Sequence, residues 1–144
     1  MSVVLAREVI LGRGHENIQA THRSTLEFTK EAHLSKNGDC VLVVSADKGL
    51  AELSRKFKDA MRKPRAKLTV QIEAGDVSEI IQAHGNLHLG LSHPCEMVIR
   101  RSDFTSDRTL AVNADKAAVD LCRELVTKLK NPEQKVKITL TVRS

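Results

Sequence analysis

Apolar and polar residues alternate over KLTVQIE, residues 67–73, and again over KVKITLTV, residues 135–142. A period of two predicts half-buried strands, with Leu68, Val70 and Ile72 inward in the first and Val136, Ile138 and Leu140 inward in the second. The same period runs through NIQATHRSTLEF, residues 17–28, where Ile18, Ala20, His22, Ser24, Leu26 and Phe28 share one face. LHLGLSHPCEMVI, residues 87–99, groups Leu89, Leu91, His93, Cys95, Met97 and Ile99 in the same way. Pro94 cannot donate to a ladder, which predicts an edge strand or a bulge there. Asn37-Gly38 predicts a tight hairpin turn, and the continuous apolar run CVLVV after it predicts a strand buried on both faces. REVIL and SEIIQ each add a short strand. Between the strands the period lengthens. Leu50, Leu53, Phe57, Ala60 and Met61 recur at helical spacing, as do Ala118, Leu121, Cys122, Leu125 and Leu129. Asp47 and Asp115 stand where helix N-caps belong, and Pro64 and Pro132 follow the helix ends.

These elements are written twice. VSADKGLAELSRKF, residues 44–57, returns as VNADKAAVDLCREL, residues 112–125. At this offset Asp39, Leu42, Val44, Ala46, Asp47, Lys48, Leu53, Arg55, Pro64 and Lys67 meet identical residues. Upstream, at an offset three residues larger, Glu8, Ile10, Gly14 and His22 meet Glu79, Ile81, Gly85 and His93. The pattern predicts one domain over 1–144, made of two repeats at about 7–73 and 78–142. Neither repeat could cover its own apolar faces, so the two should pack about a pseudo-twofold axis. The expected fold is mainly β, of the α+β class: about eight strands in an antiparallel sandwich or barrel, with two helices.

The strings GHENIQATHRSTLEFTK, GDCVLVVSADKG, HPCEMVIRRSDF and RTLAVNADKAA, in that order, resemble the archaeal domain-of-unknown-function family 371. The resemblance spans nearly the whole chain. It implies an archaeal, cytosolic protein with a jelly-roll-like β fold. It implies no activity and carries over no catalytic residue.

Candidate chemistry follows from the recurrences. His22 and His93 hold equivalent positions, so two imidazoles facing one another across the axis would suit a metal, a phosphate or acid–base work near neutral pH. Together with Arg100, Arg101 and Arg108 as anion clamps, they make the candidate site of an enzyme or binder for a phosphorylated or carboxylated metabolite. Ser24 and Cys95 follow those histidines by two, a strand spacing of about 6.5–7 Å that is too long for a nucleophile and its base. His84 and His88 have no carboxylate or thiol cluster to complete a zinc site, so no metal is expected. No GxxxxGK[ST] or GxGxxG loop occurs, and no cofactor is expected.

Charge shifts the balance toward binding. The chain carries a net +5, of which residues 1–73 hold +4 and the rest +1. RKFKDAMRKPRAK, residues 55–67, has seven basic residues and one acidic one. This reads as a backbone footprint for RNA or another polyanion through Arg55, Lys58, Arg62, Lys63, Arg65 and Lys67. Trp and Tyr are absent and Phe28, Phe57 and Phe104 are the only rings. Base stacking is therefore unavailable as the main contact. Three cysteines without CxxC spacing, no apolar run long enough for a membrane span and no leader pattern point to a cytoplasmic protein with no membrane partner. The leading expectation is a non-enzymatic nucleic-acid-backbone binder, with the paired-histidine site as the alternative.

Overall fold

A computed structural model describes residues 2–144. Eight strands, β1 (Val4–Arg13), β2 (Thr25–Thr29), β3 (Val41–Val43), β4 (Lys67–Ala74), β5 (Val77–His84), β6 (Glu96–Arg100), β7 (Thr109–Ala111) and β8 (Lys135–Arg143), are joined by two short helices, α1 (Arg55–Met61) and α2 (Arg123–Leu129). The first sheet runs β1-β8-β4-β5 and is antiparallel throughout; the second runs β3-β2-β6-β7. Leu68, Val70, Ile72, Val136, Ile138 and Leu140 point into the space between the sheets and are fully or almost fully buried there, with Phe28 and Phe57. α1 packs on β1 and β8, and α2 on β5, β4 and β3. The fold is mainly β, with eight strands in two sheets and two helices.

Several local expectations give way. β2 pairs antiparallel with β6, but β2–β3 and β6–β7 are parallel. Asn37-Gly38 therefore turns no hairpin. The chain crosses over after β2 and lays β3 alongside in the same direction, as a parallel pair requires. The two long alternating segments form strand only at their ends. Ala20 and Leu91 take positive φ (53° and 52°), which breaks the extended path upstream.

Nor is the barrel closed. At one corner Arg13 and Val44 exchange both backbone hydrogen bonds at 2.9 Å, and at the other His84 and Val112 do so at 2.8 and 2.9 Å. One bridge per corner joins the sheets without completing a ladder.

Asp47 and Asp115 belong to these corners and cap no helix. Asp47 Oδ1 accepts from Leu11 N at 3.0 Å while Asp47 N donates to Leu11 O at 2.8 Å. Asp115 does the same with Gln82, at 3.0 and 2.9 Å. Each covers one polar pair on an edge strand. The helices start later because each helical stretch is broken by an extended residue, Leu53 or Leu121, after a 3₁₀ turn (Leu50–Glu52 and Ala118–Asp120). Their N-caps are Ser54, whose Oγ accepts from Phe57 N at 3.1 Å, and Cys122, whose Sγ accepts from Leu125 N at 3.5 Å.

The second half repeats the element order of the first, and the halves interleave. Along the first sheet, β1 and β4 are separated by β8, and β8 and β5 by β4. Gly14 N donates to Gln134 O and His15 N to Leu129 O, while Gly85 N donates to Ala66 O and Asn86 N to Met61 O. Each glycine thus lets one half's backbone lie against the other half's helix end. A Cβ at Gly14 would collide with the Leu129 and Asn131 carbonyls, and one at Gly85 with the Met61 carbonyl.

Candidate functional site

The two histidines are turn residues, and the fold separates them. His22 Nδ1 accepts from Ser24 N and Thr25 N, both at 3.1 Å; His93 Nδ1 accepts from Cys95 N at 3.1 Å and Glu96 N at 3.0 Å. Each imidazole caps the entry to its strand. Because Thr25 lies opposite Arg100 and Thr29 opposite Glu96, the caps stand at opposite ends of the β2–β6 ladder. That ladder alone spans about 13 Å, so the expected shared imidazole site does not form. Ser24 Oγ comes to 3.4 Å from His22 Nδ1, nearer than a strand would bring it. The ring nitrogen is already occupied by two backbone donors.

The recurring Asp-Lys pairs are structural as well. Lys48 Nζ and Ser54 N donate to the Glu8 carboxylate at 2.8 and 2.6 Å; Lys116 Nζ and Cys122 N donate to Glu79 at 3.3 and 2.8 Å. Burial works against the Glu8 charge, but the lysine and the backbone N–H outweigh it and hold its carboxyl below the usual range.

The three arginines expected to clamp an anion are engaged. Arg100 donates to Thr109 Oγ1 at 2.9 Å and Ser106 Oγ at 3.1 Å, with its guanidinium 5.0 Å from the Phe104 ring centroid. Arg101 meets Asp120 at 3.3 Å. Arg108 lies 3.0 Å from Glu96 and 3.9 Å from Glu27. They build no open clamp. They reveal instead a cluster that sequence reasoning missed. Glu27, on β2, is 6% exposed. Burial, then the hydrogen bond and charge of Glu96, push its carboxyl up to about 7. Burial also opposes the Glu96 charge, yet Glu27 and Arg108 keep that carboxyl below its usual range. Of the two carboxyls, Glu27 therefore keeps its proton to the higher pH. Cys40 Sγ donates to Glu27 Oε1 at 3.6 Å, and burial raises its thiol to about 11. The available signal was a break in the repeat: Glu27 corresponds to Val98, Glu96 to Thr25 and Arg108 to Cys40.

The basic run divides. Arg62 donates to Leu89 O and Gly90 O, both at 2.8 Å, and Lys58 to Ala51 O at 2.9 Å, so both staple α1 to its surroundings. Arg55 lines a small cleft with Lys58 and Arg62. Lys63, Arg65 and Lys67 are exposed beyond the helix.

Lys67 opens onto a larger feature. Among the described residues no helix covers the outer face of the first sheet, which carries Arg7, Arg13, Lys67, Lys135, Lys137 and Arg143 against one carboxylate, Glu73. Among the described residues none of these six cations forms an ion pair. Arg13 stands opposite Lys135 at one end, and Lys67 between His84 and Arg143 at the other. Eight strand rises separate the ends, about 27 Å. Between them lie Thr69, Gln71, Gln82 and Thr139, with Val9, Leu11 and Ile80 exposed beside them. At the Arg13 end an open cleft of about 460 Å³ is lined by Arg13, Lys135, Lys137, Glu73, Ser45 and Gly75, among others. These cations alternate with core residues in three separate strands. Apart from Lys67, which ends the basic run 55–67, no local charge run announces them.

Among the described residues no three His, Cys, Asp or Glu side chains gather as metal ligands, and no helix is long and apolar enough to cross a membrane. The chain is 41% identical over 126 residues to "Uncharacterized protein MJ0206" of the archaeon Methanocaldococcus jannaschii, an alignment covering 88% of this chain and 93% of that protein. The family model described as "Domain of unknown function (DUF371)" matches residues 10–143, and the chain belongs to that family.

Proposed function

We propose that the protein is a non-enzymatic binder of nucleic-acid backbone, RNA in the first instance, that uses the open face of its first sheet. One observation carries the reading: six cations and a single acid share an uncovered β surface, and none of the six has a carboxylate partner. Cations left without carboxylate partners on an ordered sheet can neutralise phosphates without breaking an ion pair; Arg7 and Arg143 make only 3.4 Å hydrogen bonds to Thr141 and Thr69. Lys63 and Arg65 extend the surface beyond Lys67. Arg62 and Lys58, tied to backbone carbonyls, drop out of the footprint. With Thr and Gln between the cations and no aromatic ring on this face, contact would follow the shape and charge of the backbone. Three unpaired thiols suit a reducing, cytoplasmic setting. We attribute the doubled element order to a tandem duplication.

The test is affinity for a structured RNA as salt rises. Engagement of five or six phosphates gives a log–log slope of about −4.5 to −5.5. Reversing Lys135 or Arg143 to Glu should weaken binding and flatten the slope by about one unit each. A salt-independent affinity, or a slope unchanged in both variants, rejects the reading.

A further inference from the structure

The cleft at the Arg13 end of the basic face has more structure than a flat electrostatic patch. Its floor is the β1–β8 pair, where Arg13 lies opposite Lys135 and Leu11 opposite Lys137. The β4–β5 turn borders it at Gly75, and Ser45, just past β3, lines it as well. Its volume of about 460 Å³ falls within the range of small-molecule sites. Arg13, Lys135 and Lys137 are exposed and unpaired. Glu73 stands opposite Lys137 across β4–β8. The charged lining sums to three cations and one anion, two positive charges in excess. All three cationic groups are pure donors.

We infer that this cleft is a phosphomonoester site. A terminal phosphate carries about −1.5 to −2 charges near neutral pH and three acceptor oxygens, which matches an excess of two positive charges. A carboxylate or an internal phosphodiester brings one charge and leaves the excess uncompensated. A phosphodiester also continues as chain on both sides, whereas a cleft bordered by a turn suits a group that ends there. Leu11, exposed on the same face, offers an apolar wall to whatever bears the phosphate. The phosphate could belong to a nucleic-acid terminus or to a free nucleotide, and the site stands on the cleft alone.

Two binding series separate these sources. In the first, one RNA hairpin is compared with 5′-phosphate, 3′-phosphate and hydroxyl ends; in the second, adenosine 5′-monophosphate is compared with adenosine. A phosphomonoester site predicts about tenfold tighter binding of a phosphorylated member in at least one series. The preference should be lost in Lys137→Ala, recovered in Lys137→Arg, unaffected by Lys36→Ala, and should fade below about pH 6 as the second phosphate charge is neutralised. A preference confined to the hairpin assigns the cleft to chain ends. A preference for the nucleotide with no hairpin binding assigns it to a free phosphorylated ligand and removes the polymer reading. Hairpin binding with a steep salt slope but no phosphate preference in either series overturns the cleft site and leaves the face intact. A preference that survives Lys137→Ala also overturns it.

Discussion

Glu27 illustrates how one side chain can run against its surroundings. It sits buried between the apolar Leu26 and Phe28, with Glu96 and Arg108 at its carboxyl group. A carboxyl raised from 4.5 to about 7 binds its proton more tightly folded than unfolded. The stability it contributes is fully present below about pH 4.5 and is lost as pH climbs through about 7. Melting temperature should therefore decline between pH 5 and 8, and Glu27→Gln should flatten that decline. An unchanged profile in the variant would remove the shared proton from the account. The repeated residues behave differently. His22 and His93, Asp47 and Asp115, Glu8 and Glu79 each make the same bonds in both halves, and those bonds hold turns and corners. Repetition in the sequence picks out residues whose bonds recur at the same turns and corners of both halves.

Strands β4 and β8 were fully legible, since alternation over eight or nine residues admits one face inward and one outward. The segments before β2 and β6 alternate just as well, yet Ile18 and Ala20 reach the core from irregular backbone. A period of two cannot distinguish a strand from a loop that buries every second residue. The helices were legible as apolar stripes, and their starts were not. The 3₁₀ turn before each carries the same stripe, which hides Ser54 and Cys122 as caps. Gly14 and Gly85 act at this scale too, because each admits one half's backbone to the other half's helix end. Gly14→Ala or Gly85→Ala should each cost about 1–3 kcal/mol of stability by forcing a methyl group against a carbonyl. Chemical denaturation of the two variants checks this, and a loss below about 0.5 kcal/mol in both would mean that the contact can relax.

At the scale of the molecule, eight strands, two helices and the need for each half to cover the other could be read from the chain. Strand order could not. The basic face is the main casualty, because Arg13, Lys135 and Lys137 become neighbours only when β1 and β8 align. Alternation of the halves within the first sheet makes a sharp prediction. Residues 1–75 and 76–144 expressed separately should each lack a cooperative thermal transition, and mixing them should restore one with the intact chain's far-ultraviolet circular dichroism. A cooperative melt in either fragment alone would contradict the interleaved packing.

Were the two halves separate molecules, each would have to find the other before any sheet was complete, and stability would rise and fall with protein concentration. The Gly75-Asp76 turn makes that encounter intramolecular, at an effective concentration in the millimolar range for so short a tether. Dilution then has no hold on the fold. Covalent linkage also leaves the halves free to differ where the fold does not need them alike, as at Glu27 against Val98 and Arg108 against Cys40.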